Sequence, residues 1–570
     1  MQNCHILIQE LVANGVDYFC FAPGSRTTPL IYALSLHPQV ETFIHFDERA
    51  LGFHALGYCK ALKKPAAIIV TSGTACGNLL PAIMEAFESK TPLIILTADR
   101  PYDLQDCGAN QTTHQTGMFK NFICYESNFV GYDSSRTEPS IRSFTSRFVQ
   151  QALEKKLPVH INCMFKEPFE TTAAPKFSNY TLSPKIRRYY SKKTLHQIEI
   201  DSLAGILNNK SCGILLVGEG GINQDNFYLI DALSKKLCWP IFLDILNERP
   251  NRFENEIFSY NLLSKFISSS DLQQPIDCIL QIGDAMVSKS LAEFIKNSKP
   301  QLFIHLSDSG KIVDSDHLIT DFAEVDTKEL FSSLVPKIDQ KSSLYVSKWK
   351  ELELTVKSLK EEFFSCSDAL SELHFFYRFK DFNFSFFTFF VGNSTVIRNA
   401  LDFFEPNHFP SIIYGNRGLS GIDGNISTAL SIAKACKKPM VIFLGDLTSF
   451  HDLTSFYKAD ELKTPVTLII LNNFGGNIFS SLPVSKNPSF CLQNFILPHS
   501  HCFQGVKSLF NIEYDSFENL DLLFKQFTLS LMKHGLKILE LKINKEINNQ
   551  VLKDFNHFLS NALLSANWRS

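Results

Sequence analysis

The chain carries the same punctuation twice. Near its start a small-residue helix ends at Lys63-Lys64-Pro65, the run Ala66-Ala67-Ile68-Ile69-Val70 leads into Thr71-Ser72-Gly73, a helix follows, and Lys90-Thr91-Pro92 opens Leu93-Ile94-Ile95-Leu96. Far downstream Lys437-Lys438-Pro439 precedes Val441-Ile442-Phe443-Leu444, Gly445-Asp446 ends that run, a helix follows, and Lys463-Thr464-Pro465 leads to Leu468-Ile469-Ile470-Leu471. Gly73 and Lys90 are 17 positions apart, Gly445 and Lys463 are 18. Short β-branched runs that stop at small residues and alternate with helix-length amphipathic stretches are the pattern of parallel α/β layers. The spacing therefore predicts two copies of one doubly wound α/β fold.

At 570 residues there is room for more than two units, since one hydrophobic core rarely grows past about 250–300 residues. The run Ile214-Leu215-Leu216-Val217 lies between the copies and predicts a third α/β domain. The expected fold class is α/β with three doubly wound parallel-sheet domains, the outer two duplicated. The expected boundaries are 1–175, 194–335 and 348–570. One linker is expected over Thr171–Lys193, with Pro175, Pro184 and the basic cluster Lys185, Arg187, Arg188, Lys192 and Lys193, and a second over Pro336–Ser347. Gly218-Glu219-Gly220-Gly221 follows a strand but lacks the full GxGxxG pattern, so it reads as a structural turn.

With 45% hydrophobic residues, 20% charged and a formal net charge of -3, the chain has neither the balance of a disordered segment nor that of a nucleic-acid binder. The partners expected are small molecules, with no nucleic acid and no membrane insertion. The longest Phe-rich stretch, Phe375 to Phe390, is interrupted by Arg378, Lys380 and Asp381, and the opening residues lack a basic-then-apolar leader; a cytoplasmic location is expected. The 14 cysteines show no CxxC or zinc-ligand spacing and are expected to be free, and most of the 51 phenylalanines are expected in the core.

The most specific chemical signal is Gly445-Asp446-Leu447, then 24 residues, then Asn472-Asn473. An aspartate at one strand end and an asparagine one βα unit later reach the same edge of a parallel sheet, where ligands gather. Mg²⁺ takes hard oxygen donors, commonly one or two protein groups together with phosphate oxygens. Asp446, the side-chain oxygen of Asn473 and a backbone carbonyl near Gly475 meet that demand. His499 and His501, an HxH in a loop with Pro498, read as solvated rather than metal-binding.

This spacing resembles the thiamine-diphosphate signature of decarboxylases and synthases of the acetolactate synthase type, although Leu447 stands where that signature has a third residue glycine. Further motifs narrow the match: Ala22-Pro23-Gly24-Ser25-Arg26, His45-Phe46-Asp47-Glu48-Arg49, Thr71-Ser72-Gly73-Thr74-Ala75, Thr97-Ala98-Asp99-Arg100-Pro101, Asn110-Gln111, Val391-Gly392-Asn393-Ser394, Asn416-Arg417-Gly418 and Gly421-Ile422-Asp423-Gly424. Together they look like the 2-succinyl-5-enolpyruvyl-6-hydroxy-3-cyclohexene-1-carboxylate synthase family of menaquinone biosynthesis, in which Gly-Asp-Leu is the expected form.

That resemblance implies a thiamine-diphosphate-binding fold, one outer domain for the pyrimidine and one for the diphosphate, with Mg²⁺ or Mn²⁺ at Asp446, Asn473 and Gly475. It implies a transferase that decarboxylates 2-oxoglutarate and joins the remaining four-carbon unit to isochorismate. The cofactor would lie between two chains, which implies a dimer at minimum and suggests a dimer of dimers. Glu48 would be the carboxylate that hydrogen-bonds the pyrimidine nitrogen N1′, although Asp47 beside it competes for that role. Ser25, Arg26, Gln111, Ser394 and Arg398 would act with Glu48 in catalysis, and Arg100, Asn110, Lys289, Arg417, Ile478, Phe479 and Leu482 would contact substrate. Thr71, Ser72, Gly73, Gly392, Asn393, Ser394, Ile422, Gly445, Asp446, Leu447 and Asn473 would line the cofactor, with Ile422 as an apolar wedge. Two dianionic substrates suit the guanidinium forks of Arg26, Arg100, Arg398 and Arg417. Lys289 is matched, but Ser290 stands where an arginine is expected.

Overall fold

Each of the apolar runs becomes a strand in the computed structural model, which describes residues 2–169, 184–187, 189, 191–268, 275–367, 369–404 and 412–565. Most of the expected linker 171–193 lies outside the described residues. The first sheet is built from β1 (Tyr18–Phe21), β2 (Glu41–Ile44), β3 (Ala66–Val70), β4 (Leu93–Asp99), β5 (Tyr125–Val130) and β6 (Val159–Met164) in the order β2-β1-β3-β4-β6-β5. The middle sheet contains β7 (Gly213–Val217), β8 (Ile241–Leu243), β9 (Cys278–Ile282), β10 (Leu302–Ser307) and β11 (Asp321–Glu324), ordered β11-β10-β9-β7-β8. The last contains β12 (Thr388–Val391), β13 (Ile413–Tyr414), β14 (Met440–Gly445), β15 (Pro465–Asn472), β16 (Glu513–Phe517) and β17 (Gly535–Lys542), ordered β13-β12-β14-β15-β17-β16. The named strands pair in parallel throughout. The first and last sheets thus share one topology, as the repeat predicts.

The punctuation has a local cause. Lys63 ends helix Glu48–Leu62 and Lys437 ends helix Asn425–Cys436, both left-handed, with φ of 56° and 54° and each N–H donated to the carbonyl four residues back. A left-handed cap closes a helix, and the proline two positions later cannot continue it. The chain then enters strands β3 and β14, whose interior residues are buried on both faces because helices cover both sides of a parallel sheet. The edge strands β2, β11 and β16 are largely exposed and carry acidic residues, which discourages pairing with another edge.

The two outer domains meet directly. Helix Glu48–Leu62 packs on helix Asn425–Cys436 so closely that a Cβ at Gly57 would lie 2.4 Å from the Thr428 carbonyl oxygen, and Ser427 Oγ donates to the Ala50 carbonyl at 2.6 Å. The expected start of the last domain at 348 falls inside a 21-residue helix, Tyr345–Ser365. One end of that helix sets Trp349 edge-on against Phe242 of the middle domain, and the other stacks Phe364 on Tyr377 of the last. The Phe-rich stretch is core: Phe375, Phe379, Phe384 and Phe389 are fully buried and contact one another or Phe443 at tilted and edge-on angles. None of the fourteen cysteines is joined in a disulfide. Among the described residues no helix is long and apolar enough to cross a membrane.

In the middle domain the Gly218–Gly221 turn is clamped by backbone. Gly218 N–H donates to Ile282 O, Glu219 N–H to Ala285 O and Gly221 N–H to Gly218 O. Those donors are spent on protein carbonyls, so the turn is structural, as its incomplete motif indicates.

Candidate active site

The carboxyl ends of β12, β14 and β15 converge. Strand β14 ends at Gly445, and Asp446 opens the helix Asp446–His451, where its carboxylate is 3% exposed. Its Oδ1 accepts from Leu447 N–H at 2.7 Å and its Oδ2 from Gly475 N–H at 2.9 Å. Burial raises the Asp446 pKa against the pull of those two backbone donors.

Asn472 and Asn473, at the end of β15, have opposite duties. Asn472 is structural: its amide donates to Glu540 and to the His501 carbonyl, and its Oδ1 accepts from Phe474 N–H. Asn473 gives its Nδ2 to Glu372 Oε1 at 2.8 Å, which leaves Oδ1 buried without a hydrogen-bond partner. A buried acceptor left unpaired is costly, and a hard cation beside Asp446 would satisfy it. The donor set of Asp446, Asn473 and the backbone around Gly475 therefore fits Mg²⁺. Gly475 has φ of 146°, and a Cβ there would lie 2.5 Å from the Ile496 carbonyl oxygen, so only glycine lets the loop pass.

Strand β12 delivers Gly392, Asn393 and Ser394, with Ser394 at φ 70° directly before helix Thr395–Phe403. Asn393 holds two loop carbonyls, of Asn416 and Gly421, and accepts from Arg417 Nη1 at 2.9 Å. Arg398, one turn into the helix, donates to Ser394 O at 2.5 Å. Burial followed by the like charge of Arg417 lowers the Arg398 pKa, while Asp244, Glu219 and Glu85 partly offset the burial that lowers that of Arg417. Among the described residues neither guanidinium has a carboxylate within ion-pair distance. Two neighbouring guanidiniums that no carboxylate pairs with directly among the described residues present donor forks of the kind that suits an anion.

The first domain presents the other set. Glu48 begins helix Glu48–Leu62 and its Oε2 accepts from Asn78 Nδ2 at 3.2 Å. Asp47 is committed elsewhere: it caps that helix through Arg49 N–H and Ala50 N–H, and its other oxygen accepts from Thr454 Oγ1. Past β3, Thr71 accepts from Cys76 Sγ at its carbonyl, and Ser72 and Gly73 are fixed by long side chains. Gln115 Oε1 accepts from Gly73 N–H, Gln111 Nε2 donates to Ser72 O, and Arg100 Nη1 donates to Ser72 Oγ and Gln111 O. Asn110, beside Gln111, is exposed.

Several expected residues are placed differently from their sequence reading. Arg26 is 7% exposed, donates to Phe165 O, and is already ion-paired with Glu167 at 2.6 Å, so its fork is not free in this arrangement. Lys289 starts helix Lys289–Ser298 on the outside of the middle domain and faces Glu293 at 3.5 Å, largely in solvent. His501 is exposed as expected, but His499 is not solvated: its side chain is 9% exposed with Nε2 3.2 Å from Asp446 Oδ2. The loop folds back on the strand end because Gly476 N–H and His499 N–H are tied to Ile496 O and Phe474 O. Ile422 is 40% exposed and Leu482 36%, with Ile478 and Phe479 half-buried on the same segment as Leu482.

Two residues escape a motif reading, and a third carries a contact its motif did not announce. Glu372 and Gln115 reach the site region from outside it, and Arg49, inside the His45–Arg49 motif but given no role there, ties the start of its helix to His451 O at 2.8 Å. The one signal for Glu372 is an acidic residue leading an apolar run, Ser371-Glu372-Leu373.

Residues 1–121 match the family model "Thiamine pyrophosphate enzyme, N-terminal TPP binding domain", and residues 185–383 match "Middle domain of thiamine pyrophosphate". Among solved structures, benzoylformate decarboxylase from Polynucleobacter necessarius superposes with a TM-score of 0.74 over 95% of this chain and 98% of its own, at 16% identity, a likeness of fold. Similar chains include 2-succinyl-5-enolpyruvyl-6-hydroxy-3-cyclohexene-1-carboxylate synthases of Roseiflexus sp., 29% identical with 94% of both chains covered, and Aliivibrio fischeri, 31% identical over 94% of this chain and 93% of that one. The same enzyme of Vibrio atlanticus is 32% identical over 98% of each. An identity of that level along the whole length, on a thiamine-enzyme fold with its duplicated outer sheets, establishes that the chain belongs to the 2-succinyl-5-enolpyruvyl-6-hydroxy-3-cyclohexene-1-carboxylate synthase family.

Proposed function

We propose that this enzyme decarboxylates 2-oxoglutarate on thiamine diphosphate, with Mg²⁺ or Mn²⁺, and adds the four-carbon unit to isochorismate in menaquinone biosynthesis. The observation that carries the substrate class is the pair Arg398 and Arg417, two partly buried guanidiniums that repel each other and that no carboxylate among the described residues approaches within ion-pair distance, Asp244, Glu219 and Glu85 acting on Arg417 only from farther away. When bound, thiamine diphosphate supplies the carbon centre that takes up the electrons of the bond broken on loss of CO₂. Asp446, Asn473 and the Gly475 region would hold the metal and, through it, the diphosphate. Gly392, Asn393 and Ser394 would approach the cofactor from β12, and Ile422 would press on it from the exposed loop. Glu48 would accept a hydrogen bond at the pyrimidine N1′, and Ser72, Gln111 and Arg100 would orient substrate as one bonded group. Arg398 and Arg417 would hold carboxylates away from the reacting carbon and so exclude neutral 2-oxo acids.

The halves at Glu48 and Asp446 are flanked by exposed apolar residues, Ile44 at 45%, Phe46 at 55%, Leu419 at 48% and Ile422 at 40%. Exposed apolar side chains of this kind support burial against a second copy, in line with a dimer at minimum, and a cytoplasmic location belongs to the same reading. Product formation is tested by mass spectrometry with both substrates, thiamine diphosphate and Mg²⁺. The expected result is a product that contains both carbon skeletons less CO₂; turnover with pyruvate alone, and none with the pair, would assign the chain a different reaction.

Arg398→Ala should lower kcat/KM for 2-oxoglutarate by roughly tenfold to a few hundredfold, since a hydrogen bond to a charged group contributes about 1.5–3 kcal/mol. The loss should be small with a 2-oxo acid that lacks the distal carboxylate, and Arg398→Lys should restore only part because a point charge lacks the fork. Equal losses for charged and neutral substrates would make Arg398 a structural residue.

A further inference from the structure

Glu372 lies at the start of helix Glu372–Arg378, outside the strand ends that build the site, and is 2% exposed. Its carboxylate is surrounded by amides and by the Thr395 hydroxyl. Oε1 accepts from Asn473 Nδ2 at 2.8 Å and more weakly from Asn548 Nδ2 at 3.5 Å, and Oε2 accepts from Asn399 Nδ2 at 2.8 Å. Its own N–H donates to Asn548 Oδ1 at 2.9 Å, so the residue is pinned by backbone as well as side chain. Among the described residues no Lys, Arg or His pairs with it. A buried carboxylate held only by neutral donors is expensive unless a positive charge is close by.

The contact with Asn473 decides which way that amide faces. An amide has a donor end and an acceptor end of nearly equal shape, and a carboxylate accepts hydrogen bonds but cannot donate them. Glu372 therefore selects the orientation in which Nδ2 points to it and Oδ1 points away. That outward Oδ1 is the buried oxygen without a partner. With a neutral acceptor-and-donor residue at 372, both orientations of Asn473 would find a partner, and half of them would aim an NH₂ group at the cation.

We propose that Glu372 is a positioning residue for the divalent cation: it sets the Asn473 amide oxygen-first and adds a buried negative charge behind it. The inference rests on the reading that Asp446 and Asn473 hold Mg²⁺. It predicts that Glu372 acts on metal affinity rather than on substrate recognition. Partners behind a ligand that fix its orientation typically change metal affinity by about 10–100-fold when lost.

The test is Mn²⁺ binding to the full-length protein with thiamine diphosphate present, followed by the electron paramagnetic resonance signal of free Mn²⁺, which needs no turnover. Glu372→Gln should weaken Mn²⁺ about 10–100-fold. The double variant Glu372→Gln/Asn473→Asp exchanges donor and acceptor, since the Gln amide now donates to an Asp carboxylate that keeps an oxygen for the metal in either orientation. Mn²⁺ affinity in that variant should return to within about threefold of the parent, a rescue that damaged packing would not give. Asn399→Leu, on the far oxygen of Glu372, is the packing control and should leave Mn²⁺ affinity unchanged. Parental affinity in Glu372→Gln, or no recovery in the exchanged pair, overturns the proposal. Where Glu372→Gln does not fold, the exchanged pair alone carries the test: near-parental affinity supports it and a 10–100-fold loss overturns it. Asp446→Ala run alongside separates the two levels of the argument, because unchanged Mn²⁺ binding there removes the metal site itself, whereas loss there with parental binding in Glu372→Gln removes only the role of Glu372.

Discussion

Replacing Glu48 with glutamine is expected to leave thiamine diphosphate bound but slow exchange of its C2 proton by about 10²–10⁴-fold, the usual worth of a positioned acid or base. The carboxylate is the group at risk because its neighbour is occupied: both oxygens of Asp47 are taken, one by the helix N-terminus and one by Thr454, whereas among the described residues Glu48 accepts one side-chain hydrogen bond, from Asn78. Acid-quenched hydrogen–deuterium exchange read by NMR measures the rate. Asp47→Ala should instead cost roughly 1 kcal/mol of stability through the lost cap, with exchange near the parental rate. If the two variants exchanged roles, the proton chemistry would belong to Asp47.

Lys60→Met should cost about 3–5 kcal/mol, the penalty for stranding one partner of a buried ion pair. Lys60 is 8% exposed and Glu85 3%; the ammonium lies 3.2 Å from Glu85 Oε1 and also donates across the domain boundary to Gly415 O at 2.9 Å and Asn416 Oδ1 at 3.1 Å. Glu85 in turn accepts from Gly418 N–H and Leu419 N–H. One ion pair thus holds the loop that bears Arg417. A fall in the urea midpoint checks the prediction, and Lys60→Met/Glu85→Gln should recover most of it because the stranded charge is gone. A midpoint unchanged in the single variant would mean that the pair adds nothing to the interface.

The architecture was legible because its signals are local. The Lys-Lys-Pro stops mark helix ends, the apolar runs mark strands buried on both faces, and matching offsets announce that two sheets share one order. Asp446 and Asn473 were legible for the same reason, one βα unit of fixed length bringing two strand ends together. Contacts made by returning loops carry no such period. Glu372 is 74 positions before Asp446 in a stretch that reads as aromatic core, and nothing in its neighbours announces a polar partner. Arg26 advertised a free fork, yet Glu167, on a segment after β6, closes on it. His499 looked solvated until the Phe474 and Ile496 carbonyls drew its loop back over Asp446.

The close seating of Gly57 on Thr428 has a mechanical meaning. With a backbone oxygen only 2.4 Å from where a side chain would begin, no side chain cushions the two outer domains at this point of their contact, and a packed contact of this kind shifts between discrete arrangements rather than deforming smoothly. The joint works as a weld rather than a hinge. The short 3₁₀ and π turns between Asn477 and Ile496 lie outside that joint, so a change of shape in them would leave the spacing of the two outer domains fixed.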